Sequence, residues 1–217
     1  MELDLSNKNT ELATQSDTQG YMTGDWGKED VSIPRLSLVQ AVSNMEEFDN
    51  GSFVYDRQVQ LGKKTDTLSV YVLSLHKYYE EDLVYGSDDM PRRWSTESDA
   101  QADGAIPKWN NGGGAKYSPR CDVILLVPID LEHAHYEFNG QGYVKCVYTF
   151  KSTAYNNAKR IFTATNGKNA GGIPYALTWA LSSEQKDNGK NKWYVPVVTN
   201  QGATDAKIRE WIENEVL

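Results

Sequence analysis

Residues 143–167 read YVKCVYTFKSTAYNNAKRIFTATNG, and the passage from strand to helix inside this stretch decides the fold. Tyr143 to Phe150 follows a Gly140-Gln141-Gly142 turn and reads as a strand. Ser152 or Thr153 can then cap a helix, accepting a hydrogen bond from a first-turn amide that has no partner within the helix. Ala154, Ala158, Ile161 and Phe162 recur at helical spacing with Tyr155 flanking them. Asn166-Gly167 ends the helix, as a glycine just past the last turn commonly does.

Strands lie on both sides of this unit. Upstream, TLSVYVLSLHKYY at 67–79 puts Leu68, Val70 and Val72 on one face and Tyr71, Leu73 and Leu75 on the other. DVILLVPI at 122–129 is a continuous apolar run, the sign of a strand buried on both faces. Downstream, YALTWAL at 175–181 and KWYVPVV at 192–198 flank the polar turn 183–191. Pro196 cannot donate to a ladder, so the last strand belongs at an edge or carries a bulge. Three strands, a helix and two strands is the order of an OB-type Greek-key barrel, although an α+β sandwich reads similarly. GSFVYDRQVQL at 51–61 adds a front strand, with Phe53, Tyr55, Val59 and Leu61 alternating and Arg57 interrupting, joined to the next by a hairpin-like 62–66. TDAKIREWIENEVL at 204–217 is an amphipathic helix that clusters Ile208, Trp211, Ile212 and Glu215.

The expected fold is therefore mainly β, a β-rich α+β class. It is an OB-type five-stranded barrel with one inter-strand helix, extra N-terminal strands, a long inserted arm and a C-terminal helix. Residues 1–30 are too polar to bury a core and read as a disordered acidic leader. Residues 31–202 form the OB-like domain, 80–120 its Gly/Pro-rich inserted arm, and 203–217 the acidic terminal helix.

The 217-residue chain has a formal net charge of −8, which by itself disfavours a polyanionic partner. The acidity is local. Residues 1–30 hold seven acids and two bases, 80–105 eight acids and two arginines, and 203–217 four acids and two bases, which leaves 16 bases and 11 acids elsewhere. The body is mildly basic. No apolar run approaches the roughly 18 residues of a membrane helix, and the first 30 residues lack the regions of a secretory signal. A cytoplasmic location is expected, in the host cell if the protein is viral. Cys121 and Cys146 each adjoin an apolar strand and read as buried thiols in adjacent strands. A disulfide would need an oxidising compartment.

Catalytic patterns are absent. His133 and His135 stand two apart without zinc spacing, and Gly112-Gly113-Gly114-Ala115-Lys116 does not match the phosphate-binding GxxxxGK[ST] pattern. Asp88-Asp89 and Asp99/Asp103 show no two-metal regularity. No enzyme activity, cofactor or metal is expected. The positive signal is aromatic: 11% of residues are Phe, Trp or Tyr, and many neighbour a base. The candidates are Lys77 and Tyr78; Arg92, Arg93 and Trp94; Lys108 and Trp109; Lys116 and Tyr117; Lys151; and Lys192 and Trp193. Cations hold phosphates, while exposed rings stack on unpaired bases at about 1–3 kcal/mol each. For Trp94 and Trp109 the competing reading is an apolar contact that folds the arm back onto the sheet.

The stretches IPRLSLVQ at 33–40, LSLHKYYE at 73–80, YTFKSTAYNNA at 148–158 and WYVP at 193–196 carry a resemblance. Over residues 31–200 the layout resembles bacteriophage-encoded single-stranded DNA-binding proteins of the OB-fold type. That resemblance implies a protein that coats single-stranded DNA without sequence preference during phage DNA replication or recombination. It also implies recruitment of replication or recombination proteins by an acidic C-terminus; the oligomeric state, a homo-oligomer among the alternatives, is left open. Here the terminal helix is acidic but lacks a long acidic run. Two alternatives remain open: a structural or interaction protein (a virion component or an acidic mimic of DNA), and a metal-dependent nuclease using the acidic arm.

Overall fold

The computed structural model describes residues 33–217 except 65, 85, 86 and 169; the expected leader at 1–30 lies outside the described residues. The first elements, β1 (Leu36–Leu38), β2 (Phe53–Tyr55) and β3 (Val59–Leu61), form a small antiparallel sheet. The single strand expected over 51–61 is instead a hairpin. Asp56 and Arg57 adopt φ of 47° and 58°, the left-handed pair a tight hairpin turn requires, and the Gln58 amide closes the turn on the Tyr55 carbonyl at 2.9 Å. Neither residue is glycine, so the turn sends no glycine signal. The 62–66 segment joins two sheets and does not close a hairpin.

The main sheet follows: β4 (Leu68–Glu81), β5 (Arg93–Trp94), helix α1 (Glu97–Ala102), β6 (Ile106–Pro107), β7 (Lys116–Ile129), β8 (Tyr136–Phe138) and β9 (Gln141–Lys151). Helix α2 (Tyr155–Thr165) leads to β10 (Leu177–Asp187) and β11 (Lys192–Ala203), and helix α3 (Ala206–Trp211) ends the chain through a wider turn at 212–216. The long strands are antiparallel in the order β11-β10-β4-β7-β9-β8. The molecule is thus mostly β, and β10-β4-β7-β9 stand in Greek-key order, the fourth strand lying beside the first. Among the described residues no pairing joins β9 to β11. The expected closed barrel is not formed; the sheet has a seam.

Side chains explain the seam. Gln40 donates Nε2 to the Tyr194 carbonyl at 2.9 Å and accepts the Tyr194 amide on Oε1 at 2.8 Å. Asn157 of α2, buried, donates Nδ2 to the Pro196 carbonyl at 2.8 Å, and its Oδ1 accepts the Val198 amide at 3.4 Å. Pro196 has no N–H to satisfy. Two amides thereby occupy the edge groups that a neighbouring strand would need. Across the seam the Val147 amide donates to the Pro34 carbonyl at 2.9 Å. Gly51, at φ +89°, lies so close to β11 that a Cβ there would stand 2.7 Å from the Tyr194 ring.

The inner face of the sheet, toward α2 and the small sheet, carries Val70, Val72, Val123, Leu125, Cys146, Phe150, Trp179 and Leu181 against Ala158 and Ile161. Pairing shifts register between Val72 and Ser74. This bulge turns Leu75 inward while Leu73 stays outside, so the two do not share the face expected of them. Both thiols are free and buried in adjacent strands, as their flanking runs imply. Burial pushes Cys121 up to about 11 and Cys146 higher still.

The helices depart from expectation in detail. Ser152 and Thr153 cap nothing; residues 152–154 form a 3-10 turn, and Ser152 at φ 51° redirects the chain from β9. Phe162 is exposed. Helix α3 begins where Asp205 accepts the Lys207 amide at 2.9 Å. Its Ile208, Trp211, Ile212 and Val216 pack on Tyr71, Leu73, Leu126 and Tyr143 of the outer face. The wider last turn brings Val216 in and leaves Glu215 exposed, and Lys145 Nζ donates to the Val216 carbonyl at 2.6 Å.

Asn157→Ala leaves two edge groups without partners. Urea unfolding is expected to show about 1–3 kcal/mol less stability, with a lower midpoint and an unchanged slope. At pH 8 a thiol reagent is expected to label neither cysteine of the native protein, and both once urea has unfolded it.

Candidate functional site

The outer face of the main sheet has two halves. Helix α3 covers the apolar half. The other half is polar and open, because after the bulge β4 points His76 and Tyr78 outward, at every second position. Register then sets His76 opposite Asp122 and Asp122 opposite Thr149, with Tyr78 opposite Arg120 and Arg120 opposite Lys151. Thr149 Oγ1 donates to Asp122 Oδ1 at 2.6 Å, and the Tyr78 hydroxyl donates to the same oxygen at 3.4 Å. Burial first, then the charges of Asp122 and Glu80, raise the Tyr78 pKa, so the phenol keeps its proton and remains a donor. Arg93 lies 5.2 Å above the Tyr78 ring, and the His76 and Tyr78 rings stand 6.0 Å apart at 23°. Between them opens a cleft of about 160 Å³ lined by His76, Tyr78, Arg93, Trp94, Ser95 and Asp122.

A larger groove of about 560 Å³ follows the seam. Arg35, Lys151 and Lys192 line it with no carboxylate, beside Trp193, Val42 and Met45. Val42 is 92% exposed. Lys192 stands 3.6 Å from Asp187, whereas Arg35 and Lys151 form no ion pair among the described residues. Arg35 Nη1 instead donates to Thr149 Oγ1 at 3.3 Å. Thr149 thus borders the groove and bonds to Asp122 of the cleft. Groove and cleft share no lining residue, and the Thr149–Asp122 bond is the link between them along a lane across β11, β9, β7 and β4.

The sequence candidates divide accordingly. Lys151, Lys192 and Trp193 meet in the groove, and Tyr78 and Arg93 meet at the cleft. The others do not join them. Lys77 faces the inner side, with Nζ 4.9 Å over the Tyr79 ring. Arg92 is tied to Glu81 at 3.0 Å and Asp103 at 2.7 Å. Trp94 reaches the cleft wall, but its indole is buried against Tyr117 and donates to Asp103 at 3.1 Å. Tyr117 is fully buried and donates to Glu97 at 2.9 Å. Trp94 and Tyr117 therefore belong to a small core with Tyr79, Ala100 and Ala105 that folds the arm onto the sheet end, which is the packing alternative. Lys108 pairs with Asp82 at 3.5 Å, and Lys116 is held by the Asn110 and Gly112 carbonyls. Trp109 is 70% exposed but lines neither groove nor cleft.

Arg35, His76, Asp122 and Thr149 were not among the sequence candidates. Each is a polar residue in or beside an apolar strand, and only cross-strand register and the bulge bring them together. Among the described residues no three His, Cys, Asp or Glu side chains are grouped to hold a metal, and no helix is long and apolar enough to cross a membrane. Comparison with protein-family models, curated proteins and solved structures gives no match.

Two indoles of the arm separate core from surface. Trp94→Ala is expected to cost about 3–5 kcal/mol in urea unfolding, and Trp109→Ala to stay within about 0.5 kcal/mol of wild type.

Proposed function

We propose that the lane from Trp193 and Lys151 through Arg35 to Tyr78 and Arg93 binds single-stranded nucleic acid, and that the protein works by binding and not by catalysis. DNA is the substrate implied by the resemblance to phage proteins, with replication or recombination as the setting. The observation that carries this reading is the seam groove: three cations, no carboxylate and an indole in one trough. Single-strand binders combine cations for the backbone with rings for the bases. The strand order supports it too. Read as an OB-type barrel, the order would be one left open between its third and fifth strands, and the lane would cross the second and third, β7 and β9, the face on which such barrels bind oligomers.

The three groove cations and Arg93 set the scale of the salt effect. A single strand releases about 0.7 counterion per neutralised phosphate, so log affinity falls against log salt with a slope of about −3. The ion pair of Arg93 with Glu80, at 2.9 Å, has an arginine side chain 56% exposed. Glu80 is also held by Arg120 at 3.3 Å, so Arg93 can leave it for a phosphate without stranding the carboxylate. A rival reading, an interaction protein that binds no nucleic acid, draws on the pairing of Arg92 and Lys108 within the arm.

Titration with oligo-dT at several salt concentrations is expected to quench tryptophan fluorescence with that slope. Lys151→Glu should weaken binding by about tenfold or more. Trp193→Ala should lose most of the quenching and about 1–3 kcal/mol, while Arg92→Ala should leave binding unchanged. Absence of both quenching and a gel shift at low salt would sink the proposal, and capture of a protein partner without nucleic acid would then favour the rival.

A further inference from the structure

We infer that the cleft beside the lane is a cytosine pocket, in which Asp122 accepts a hydrogen bond from the exocyclic amino group of a single base; this rests on the single-strand reading above. The starting point is that Asp122 is the one carboxylate lining the cleft, and the seam groove has none. A carboxylate there repels a phosphate, so the chemistry it can serve is that of N–H donors, and in a nucleic acid those sit on base edges. Its two oxygens are not equivalent. Oδ1 accepts from both Thr149 and Tyr78, which fixes the carboxylate plane. No hydrogen bond reaches Oδ2 from the described residues, and an ionised carboxylate has acceptor capacity on both oxygens.

The cations suit this division of labour. Arg35 is bonded to Thr149, and Arg93 lies over Tyr78. Each is therefore one residue removed from Asp122, on its two hydrogen-bonding sides. A backbone tracking from one arginine to the other passes the carboxylate with phosphates on cations and a base free to turn inward. The cleft offers the exposed His76 ring and the Arg93 guanidinium, kinds of plane on which unpaired bases stack, while Tyr78 is buried beneath Arg93. Its volume of about 160 Å³ is close to the roughly 150 Å³ that admits a benzene-sized ring. That favours a pyrimidine over a purine. Between the pyrimidines the carboxylate decides: cytosine offers an N4 amino donor, whereas thymine and uracil present an O4 acceptor at the same place. The preference is superimposed on a lane that otherwise ignores sequence.

Fluorescence anisotropy with labelled oligo-dC and oligo-dT of equal length, at pH 8 and one fixed salt concentration, tests this. Wild type is expected to bind oligo-dC about threefold to tenfold more tightly, the range of one net hydrogen bond. Asp122→Asn, whose amide can turn a donor toward O4, is expected to abolish or invert the ratio while oligo-dT binding improves. Equal affinities in wild type, measured without any variant, overturn the pocket and leave the single-strand reading intact. A preference that survives in Asp122→Asn assigns it elsewhere and also overturns the pocket. Binding of neither oligomer at low salt removes both proposals together.

Discussion

The edge of β11 is the constraint on which the rest of the molecule depends. A buried strand edge must place its amides and carbonyls somewhere, at about 1–3 kcal/mol for each group left unpaired. In most sheets a further strand or solvent supplies the partners. Here Gln40 and Asn157 do so, and Pro196 withholds the one N–H that would lack a partner between them. Once these amides hold the edge, β9 cannot pair with β11, and the N-terminal segment at Pro34 lies in the opening against Val147. The groove is the consequence. Lys151 at the end of β9 and Trp193 near the start of β11 face a shared trough because the ladder that would join their strands is missing.

The second determinant is how the outer face is divided. Helix α3 seals the half bearing Tyr71, Leu73, Leu126 and Tyr143, where apolar area removed from water stabilises by about 25 cal/mol per Å². The other half has no such area to offer, because the bulge after Val72 presents Ser74, His76 and Tyr78 in place of Leu75. A single extra residue in β4 thus separates the structural end of the face from the end that stays open. Without it the outward positions beyond Leu73 would be Leu75, Lys77 and Tyr79, and the open end would carry a different chemistry.

Much of the fold is legible in the sequence because its elements are long and strongly patterned. The five long strands and α2 appear at the apolar runs and before the Asn166-Gly167 stop, although β7 begins at Lys116 within the expected arm and β10 runs to Asp187 into the expected turn, and Pro196 does mark an edge strand. The short features are not legible. The Asp56-Arg57 turn lacks the glycine that marks such turns, and its Arg57 is of a type that rarely takes positive φ; the bulge has no compositional sign. The site suffers from a more instructive difficulty. Bases adjacent to rings in sequence make poor candidates on strands, where neighbours point to opposite faces. Lys77 accordingly meets Tyr79, not Tyr78, and Arg92 meets Trp94. Arg93, beside Trp94 in the chain, lies over Tyr78 of the facing strand. The productive spacing is two along a strand or one step across the register. The second of these exists only once the strands are paired, which is why Arg35, Thr149 and Asp122 carry no signal in sequence.

Net charge then loses most of its force as an objection to a polyanionic ligand. In the arm, Glu80, Glu81, Asp82 and Asp103 are paired with Arg92, Arg93, Lys108 and Arg120. Those pairs remove cations from phosphate contact, and they also cancel the anions that would repel a strand approaching the cleft. The pairs whose cations are exposed, those of Arg92, Arg93 and Lys108, add little stability, so their physical effect is chiefly on the local field; Arg120 is buried beside Glu80 and Asp82. At physiological ionic strength that field decays over about 8 Å. Charges in the lane therefore outweigh the formal total of −8 in what a ligand meets there. Of those charges Arg35 and Lys151, without acidic partners among the described residues, dominate the groove. Asp122, held by Thr149 and Tyr78, is the negative point of the cleft. On the single-strand reading proposed above, a trough with this alternation would attract a chain of phosphates while directing donors on its bases to one fixed place.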